Sequence, residues 1–161
     1  MSQVSKRSQL AGIHKTAVQF FTSRLSRAFV WASSYSARRH ASEPGVTVVA
    51  VNWNSLDFLS TWLEAVERFT PEPHTTMIID NNSSDGSKQF LREQVGVSSI
   101  FLPFNVGHGP ALDLAIRRAQ TETVVVLDID AIPISAAWLS EVLDPLESGA
   151  KIAGAHWQRD F

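Results

Sequence analysis

The 161-residue chain contains no cysteine, which excludes disulfide bonds and thiolate chemistry. It also lacks any run of about 18 apolar residues, the length that a membrane-spanning helix needs. Its first 42 residues contain no aspartate or glutamate, although the whole chain has 16 of them. Apolar residues make up 44% of the sequence, which is enough to fill a hydrophobic core and excludes wholesale disorder.

Charge divides the chain into two differently built parts. Residues 1–42 carry seven Lys and Arg, a net charge of +7, whereas residues 43–161 carry the other seven and all sixteen acids, a net charge of −9. The Glu43-Pro44-Gly45 stretch between them is typical of a turn. We therefore predict a basic leader over residues 1–43 and one folded domain over residues 44–161.

Apolar residues in the leader recur at three- and four-residue steps, which predicts an amphipathic helix with basic residues on its other side. Through residues 10–31, such a helix would make peripheral contact with an anionic membrane surface. A partly disordered extension, a helix packed on the rest of the protein and an organelle transit peptide remain open alternatives. The expected location is cytoplasmic, with membrane association left open. The apolar positions are Leu10, Ile13, Ala17, Phe20, Phe21, Leu25 and Phe29.

From residue 46 onward, short apolar strands alternate with amphipathic helices. The alternation predicts an α/β fold with a mainly parallel sheet and helices on both faces. Ser55 is expected to cap the first helix, and a further strand is an option at residues 151–155. Strands are predicted over residues 46–51, 75–79, 97–102 and 123–127, and helices over residues 56–70, 84–94, 110–120 and from 135 onward.

Polar residues follow each of the four predicted strands. They occupy residues 52–54, 80–87, 105–109 and 128–130. Since ligands of parallel α/β sheets bind beyond the carboxyl ends of the strands, these four clusters predict a binding site at one edge of the sheet.

Asp128 and Asp130 directly follow the fourth apolar strand. In an extended segment, residues two apart point the same way, so both carboxylates would face one pocket. A divalent cation between them would relieve their repulsion and leave coordination positions for phosphate oxygens. Alternatively, one carboxylate closes the turn before Pro133 and the other is solvated.

The motifs in these four segments resemble the successive signatures of family 2 glycosyltransferases. They are VVAVNWN at residues 48–54, IIDNNSSDGS at 78–87, NVGHGPALD at 105–113 and VLDID at 126–130. The resemblance implies a GT-A fold, a Rossmann-like domain that binds nucleotide-sugars. It also implies inverting transfer of a sugar from a nucleotide-diphospho-sugar to a hydroxyl of a saccharide, lipid-linked or protein acceptor, as in cell-envelope polysaccharide synthesis, with Mg²⁺ or Mn²⁺ as cofactor.

The same resemblance implies roles for individual residues. Asp80 would accept a hydrogen bond from the base of the donor, and Trp53 would stack on that base, although a core position for Trp53 is an equal alternative. Asp130 would ligate the metal, while Asp128 would contact the ribose or share the metal. The implied donor-binding residues are Val51, Trp53, Asp80, Asn105, Gly107 and Asp128, and the implied metal ligands are Asp130 and Asp128.

Other polar residues at this edge have simpler explanations. Asn82, Ser83 and Asp85 are expected to shape the turn and cap the next helix rather than touch a ligand. His108 is expected to be a solvated loop residue, with a phosphate or sugar contact as its alternative. Asp113 stands where the family often has Asn, so no donor contact is expected from it.

The family's acceptor region and general base have no clear counterpart in residues 1–161. We therefore expect a donor-binding part that carries out little or no transfer alone, and we leave the general base unassigned. One alternative is a non-catalytic nucleotide-binding or scaffold domain. Another is a phosphatase of the haloacid dehalogenase type, but that family carries its paired aspartates on the first strand. Nucleic-acid binding is not expected, because the domain has a net charge of −9.

Overall fold

The computed structural model describes residues 43–154, so the predictions for the leader and for residues 155–161 lie outside the described part. Strands and helices alternate along the described chain, which confirms the α/β prediction. No helix within residues 43–154 is both long and apolar enough to cross a membrane. The elements are β1 (Glu43–Asn52), α1 (Leu56–Phe69), β2 (His74–Asp80), α2 (Ser87–Glu93), β3 (Val97–Phe101), α3 (His108–Arg118), β4 (Thr121–Val126) and α4 (Trp138–Glu147).

The four strands form one parallel sheet in the order β3-β2-β1-β4. The central strand β1 pairs with β2 over its whole buried part, and this register places Asn52 beside Asp80 at the carboxyl end. The predicted turn at residues 43–45 is wrong. Those residues begin β1, and the pairing with β4 shifts register between Glu43 and Val46. Such a β-bulge accommodates Pro44 and Gly45 without ending the strand.

Helices cover both faces of the sheet, as predicted. Alternate side chains of β1 point to opposite faces, so Val49 and Val51 pack towards α3, whereas Val48 and Ala50 pack towards α1 and α2. Trp62 of α1 is fully buried in the second of these cores. Fully burying a side chain of this class stabilises a fold by about 1.5–3 kcal/mol. The two cores fix the sheet between its helices and thereby fix the positions of the loops that leave its carboxyl edge.

Several predicted boundaries differ from the structure, and the polar loops account for most of the differences. The second helix begins at Ser87 rather than residue 84, because Asn82 (φ 65°) and Gly86 (φ 102°) hold the preceding loop in left-handed backbone. The fourth helix begins at Trp138, since the Ser135 hydroxyl instead accepts a hydrogen bond from the Ala137 backbone. Residues 151–154 form no strand.

One carboxylate, Asp85, caps the starts of two helices. Its Oδ2 accepts a hydrogen bond from the backbone N–H of Leu56 at 2.8 Å, and its Oδ1 accepts from the backbone N–H and the hydroxyl of Ser87 at 3.0 and 2.6 Å. The prediction that the Ser55 side chain caps α1 is wrong, because its hydroxyl donates to the carbonyl of Trp53. Asp85 therefore joins α1 and α2 at the carboxyl edge of the sheet.

The pKa of Asp85 lies below that of an ordinary aspartate. Partial burial acts to raise this pKa, but the hydrogen bonds from the Ser87 hydroxyl and from the backbone of Leu56 and Ser87 stabilise the charged form and outweigh the burial. The contribution of Asp85 to stability is therefore present above the pKa of an unfolded aspartate. It is lost as the pH falls through the lowered pKa of the folded state.

We expect Asp85→Ala to lower the free energy of unfolding by about 1 kcal/mol at pH 7, because both helix starts lose their capping acceptor. The difference between wild type and variant should begin to shrink below about pH 3.9, where the carboxylate of the unfolded chain becomes protonated, and should vanish below the lowered pKa of the folded state. Urea unfolding at pH 7 and pH 3 measures both effects. Asp144→Ala, which removes an exposed carboxylate on α4, is the control and should change stability less. An equal loss at both pH values would contradict this role of the charged form.

Candidate functional site

A buried carboxylate, Asp80, joins the loops that follow β1 and β2. Asn52 donates from Nδ2 to Asp80 Oδ2 and to the Ser83 hydroxyl, both at 3.0 Å, and the backbone N–H of Ser83 donates to Asp80 Oδ1 at 3.0 Å. Asn52 and Asp80 have no exposed surface. A buried charge needs such hydrogen bonds to offset its lost hydration. Asp80 therefore orders the two loops.

Asn54 adds a second connection between the same two loops. Its backbone N–H donates to the Ser83 hydroxyl at 2.9 Å, and its Oδ1 accepts from the Ser84 backbone N–H at 2.7 Å. Asn54 has a φ of 52°, a left-handed conformation that asparagine tolerates better than most residues. These bonds hold the segment that carries Trp53 between Asn52 and Asn54.

Asn81 connects the loop after β2 to the loop after β3. It donates from Nδ2 to Asn105 Oδ1 at 3.0 Å, and its Oδ1 accepts from the backbone N–H of Val106 at 2.9 Å. Asn105 Oδ1 also accepts from the backbone N–H of Gly107 at 2.8 Å. The two asparagine side chains thus fix the loop that leads into α3, where Gly107 has a φ of 90° that favours glycine.

A cavity of about 420 Å³ opens at this edge, next to the first turn of α3. Its volume falls within the range of small-molecule sites, about 300–1,000 Å³. The alternative of a core position for Trp53 is wrong, because Trp53 is 55% exposed. The structure brings four of the implied donor-binding residues together here. The lining residues are Val51, Trp53, Asn105 and Gly107, together with Ser55, Asn81 and His108.

Asp80 does not line this cavity, and three lining residues were not among the predicted ones. Strand alternation supplies the missing signal. Trp53 lies just past the end of β1 and continues the face of Val51, which pairs with Ile79. Just past the end of β2, the residue that continues this face is Asn81, whereas Asp80 belongs to the other face. Ser55 was interpreted as a helix cap and His108 as a solvated loop residue. His108 is exposed, as expected, and it also lines the opening, which is the position that its alternative, a phosphate or sugar contact, requires.

The Asp128-Ile129-Asp130 segment forms a turn, so the prediction of an extended geometry is wrong. β4 ends at Val126, and the backbone N–H of Ala131 donates to the Asp128 carbonyl at 2.9 Å. Ile129 is buried in the core beside α1, whereas both aspartates are exposed. Trp62, which is buried in the same core as Ile129, also holds the turn, because its indole N–H donates to the Asp128 carbonyl at 3.1 Å.

Asp128 does not line the cavity itself but contacts His108, which does. Oδ1 of Asp128 is 3.6 Å from Nε2 of His108, and both side chains are largely exposed. Carboxylate oxygens are the ligands that Mg²⁺ and Mn²⁺ prefer, and Mg²⁺ commonly keeps several waters or phosphate oxygens beside one or two carboxylates. Residues 43–154 contain no group of three or more His, Asp or Glu side chains that could hold an ion. A cation at Asp128 and Asp130 would therefore need phosphate oxygens or water to complete its coordination.

The Asp113 carboxylate is paired with Arg117 on the outer surface of α3. It accepts a hydrogen bond from Arg117 Nε at 2.9 Å, one helical turn away, and this bond and the opposite charge raise the pKa of Arg117. Asp113 does not line the cavity.

Solved structures with the same fold include a mannosyltransferase. This mannosyltransferase, from Pyrobaculum calidifontis and in complex with GDP-Man and Mn²⁺, superposes with a TM-score of 0.56 at 21% identity, over 81% of this chain and 41% of that one. S. aureus TarS gives 0.53 at 20% identity, over 64% of this chain and 20% of that one. A mycobacterial protein gives 0.56 at 16% identity, over 75% and 40%.

Sequence comparison agrees with the fold. A teichoic acid poly(glycerol phosphate) polymerase of Staphylococcus epidermidis is 23% identical over 90 residues, which make up 53% of this chain and 12% of that protein. The chain thus spans well under half the length of each of these relatives. The family model for glycosyl transferase family 2 matches residues 47–161. Because that match takes in the whole described domain except the start of β1, the chain belongs to glycosyl transferase family 2.

Proposed function

We propose that this domain binds a nucleotide-diphospho-sugar in the cavity at the carboxyl edge of the sheet and serves metal-dependent, inverting sugar transfer to an acceptor hydroxyl. The observation that carries the proposal is that an exposed aromatic ring and a pair of aspartates lie at the same cavity. An exposed aromatic ring, Trp53, lines a cavity of nucleotide-compatible size, and the Asp128–Asp130 turn adjoins it through His108.

In this proposal, the cavity receives the nucleoside. Trp53 offers a half-exposed ring against which a base stacks, and the hydrogen bond from the Asn54 backbone to the Ser83 hydroxyl holds that ring's backbone in place. Asn81 and Asn105 line the same opening and provide amide groups for a polar edge of the base or ribose. Because their side chains are already hydrogen-bonded to each other, they are positioned before the ligand arrives.

Asp128 and Asp130 would hold the cation. A bound divalent cation neutralises charge on the diphosphate as the nucleotide leaves. The contribution of the chain is to fix the turn: Trp62 holds the Asp128 carbonyl, and the burial of Ile129 keeps both carboxylates at the surface. His108, which faces Asp128, is close enough to meet the diphosphate or the sugar.

The proposed transfer needs few steps. The acceptor oxygen attacks the anomeric carbon from the side opposite the nucleotide, the bond from that carbon to the phosphate oxygen breaks, and the nucleoside diphosphate departs. A general base takes the hydroxyl proton, and we assign it to none of the described residues. The cofactor Mn²⁺ and the donor GDP-Man in the mannosyltransferase structure support this class of ligand. The teichoic acid relative supports an acceptor in a cell-envelope polymer.

Metal-dependent nucleotide binding tests the proposal directly. We expect the 161-residue chain to bind a nucleoside diphosphate more tightly with Mn²⁺ than without it, and we expect Asp130→Asn to remove that difference. Calorimetric titration with each nucleoside diphosphate, with and without Mn²⁺, measures it. Asp144→Asn, on the exposed side of α4, is the matched control. Binding without any dependence on Mn²⁺ or on Asp130 would favour the non-catalytic alternative.

Stacking on Trp53 has its own test. We expect Trp53→Ala to weaken nucleotide binding by about 1–3 kcal/mol, or roughly 5- to 150-fold, because the base loses its aromatic partner. Phe58→Ala provides the control, since Phe58 is a similarly exposed aromatic residue that does not line the cavity. If the two variants bind the nucleotide equally well, Trp53 does not stack on the base.

The positioning role of Trp62 predicts a difference between two tryptophan variants. Trp62→Phe and Trp138→Phe each remove one indole hydrogen bond, to the Asp128 carbonyl and to the Thr70 hydroxyl respectively. Each lost bond should lower the free energy of unfolding by about 0.5–1.5 kcal/mol. Only Trp62→Phe should also weaken the Mn²⁺-dependent part of nucleotide binding. Equal nucleotide affinity in both variants would show that Trp62 does not position the turn for the metal.

A further inference from the structure

A groove of about 440 Å³ lies at the opposite end of the sheet from the cavity at the carboxyl edge. It runs between the carboxyl half of α1 and the loop that joins α2 to β3. Thr76 and Val97 line it, and these residues pair with each other where β3 begins. The groove therefore opens at the amino edge of the sheet, on the face covered by α1 and α2.

The floor of this groove is apolar and its charges are all negative. Leu63, Phe90 and Val97 are half-buried against the core under α1 and α2, and Val95 beside them is 99% exposed. The charged residues that line the groove are Glu64 and Glu67, both exposed on α1. Exposed apolar surface next to carboxylates is suited to a segment that combines apolar and basic side chains.

The leader of this same chain has that composition. Residues 10–31 carry apolar side chains at helical spacing together with Lys15, Arg24 and Arg27, and residues 1–42 contain no acid. The sequence thus offers charge complementarity to Glu64 and Glu67. The alternative of a leader helix packed on the rest of the protein, left open by the sequence, corresponds to this arrangement.

The leader joins the domain at the amino edge of the sheet, the same edge at which the groove opens. β1 begins at Glu43, at the amino edge, and Val48, five residues further on, pairs with Thr76 of the groove. That separation is about 16 Å along the strand. The 11 residues between Trp31 and Glu43 reach up to about 40 Å when extended. Since a domain of this size has a radius of gyration of about 13 Å, the tether is long enough.

We propose that residues 10–31 dock in this groove, with their apolar side chains against Leu63, Phe90 and Val95 and their basic side chains near Glu64 and Glu67. The interaction occupies the face opposite α3 and the end opposite the nucleotide cavity. It is therefore independent of the proposed sugar transfer. It also removes residues 10–31 from the membrane contact that their sequence otherwise favours.

The absence of cysteine makes a spin-label test direct. In the full chain, a nitroxide on Val95→Cys should broaden the amide signals of residues 10–31. A nitroxide on Ile116→Cys, an exposed apolar position of α3 on the other face of the sheet, should leave them sharp. Combining Val95→Cys with Glu64→Lys and Glu67→Lys should abolish the broadening. The matched charge reversal on α4, Glu141→Lys with Glu147→Lys, should preserve it.

Three results would overturn the docking proposal. The first is the absence of broadening from position 95 in the otherwise unchanged chain. The second is broadening that survives reversal of both groove carboxylates at low salt, where charge pairs are least screened. The third is binding of residues 10–31 to phosphatidylserine vesicles with no broadening from position 95, which would assign the leader to a membrane surface instead.

Discussion

The site depends on one buried carboxylate. Asp80 ends β2 next to Asn52 of β1, and neither side chain has exposed surface. A buried carboxyl group needs hydrogen-bond partners to replace its lost hydration, and the donors come from Asn52 and from the backbone of Ser83. Satisfying the carboxylate therefore fixes the loops on both sides of it. Trp53 and Asn81, which line the cavity, each directly follow a member of this pair.

A second constraint acts from the core under α1. The indole of Trp62 is buried there and reaches the backbone carbonyl of Asp128, and Ile129 is anchored in the same core. The two aspartates are consequently held at the surface by contacts that involve neither carboxylate. Asp80 supports the loops that line the cavity, and Trp62 supports the turn that carries Asp128 and Asp130. Rigid support beneath exposed polar groups is what a preorganised binding site requires.

The sequence predicted the fold well, because apolar periodicity reports strands and helices directly. Every strand and helix predicted within residues 43–150 exists, and the polar loops do meet at one edge. The errors lie where side chains compete with the backbone. Asp85 rather than Ser55 caps α1, and Asp128 and Asp130 lie in a turn because β4 stops at Val126. A single sequence does not reveal which of two neighbouring polar residues is buried, so neither the full burial of Asp80, whose donor contact was implied by the resemblance alone, nor the place of Asn81 in the cavity lining could be predicted.

The central claim is that this edge of the sheet holds a nucleoside diphosphate and a divalent cation together. A crystal structure of the 161-residue chain grown with a nucleoside diphosphate and Mn²⁺ tests it most directly. We expect a base against the ring of Trp53 and anomalous scattering from Mn²⁺ between the phosphates and the carboxylates of Asp128 and Asp130. A nucleotide bound elsewhere, or Mn²⁺ coordinated away from both aspartates, would contradict it.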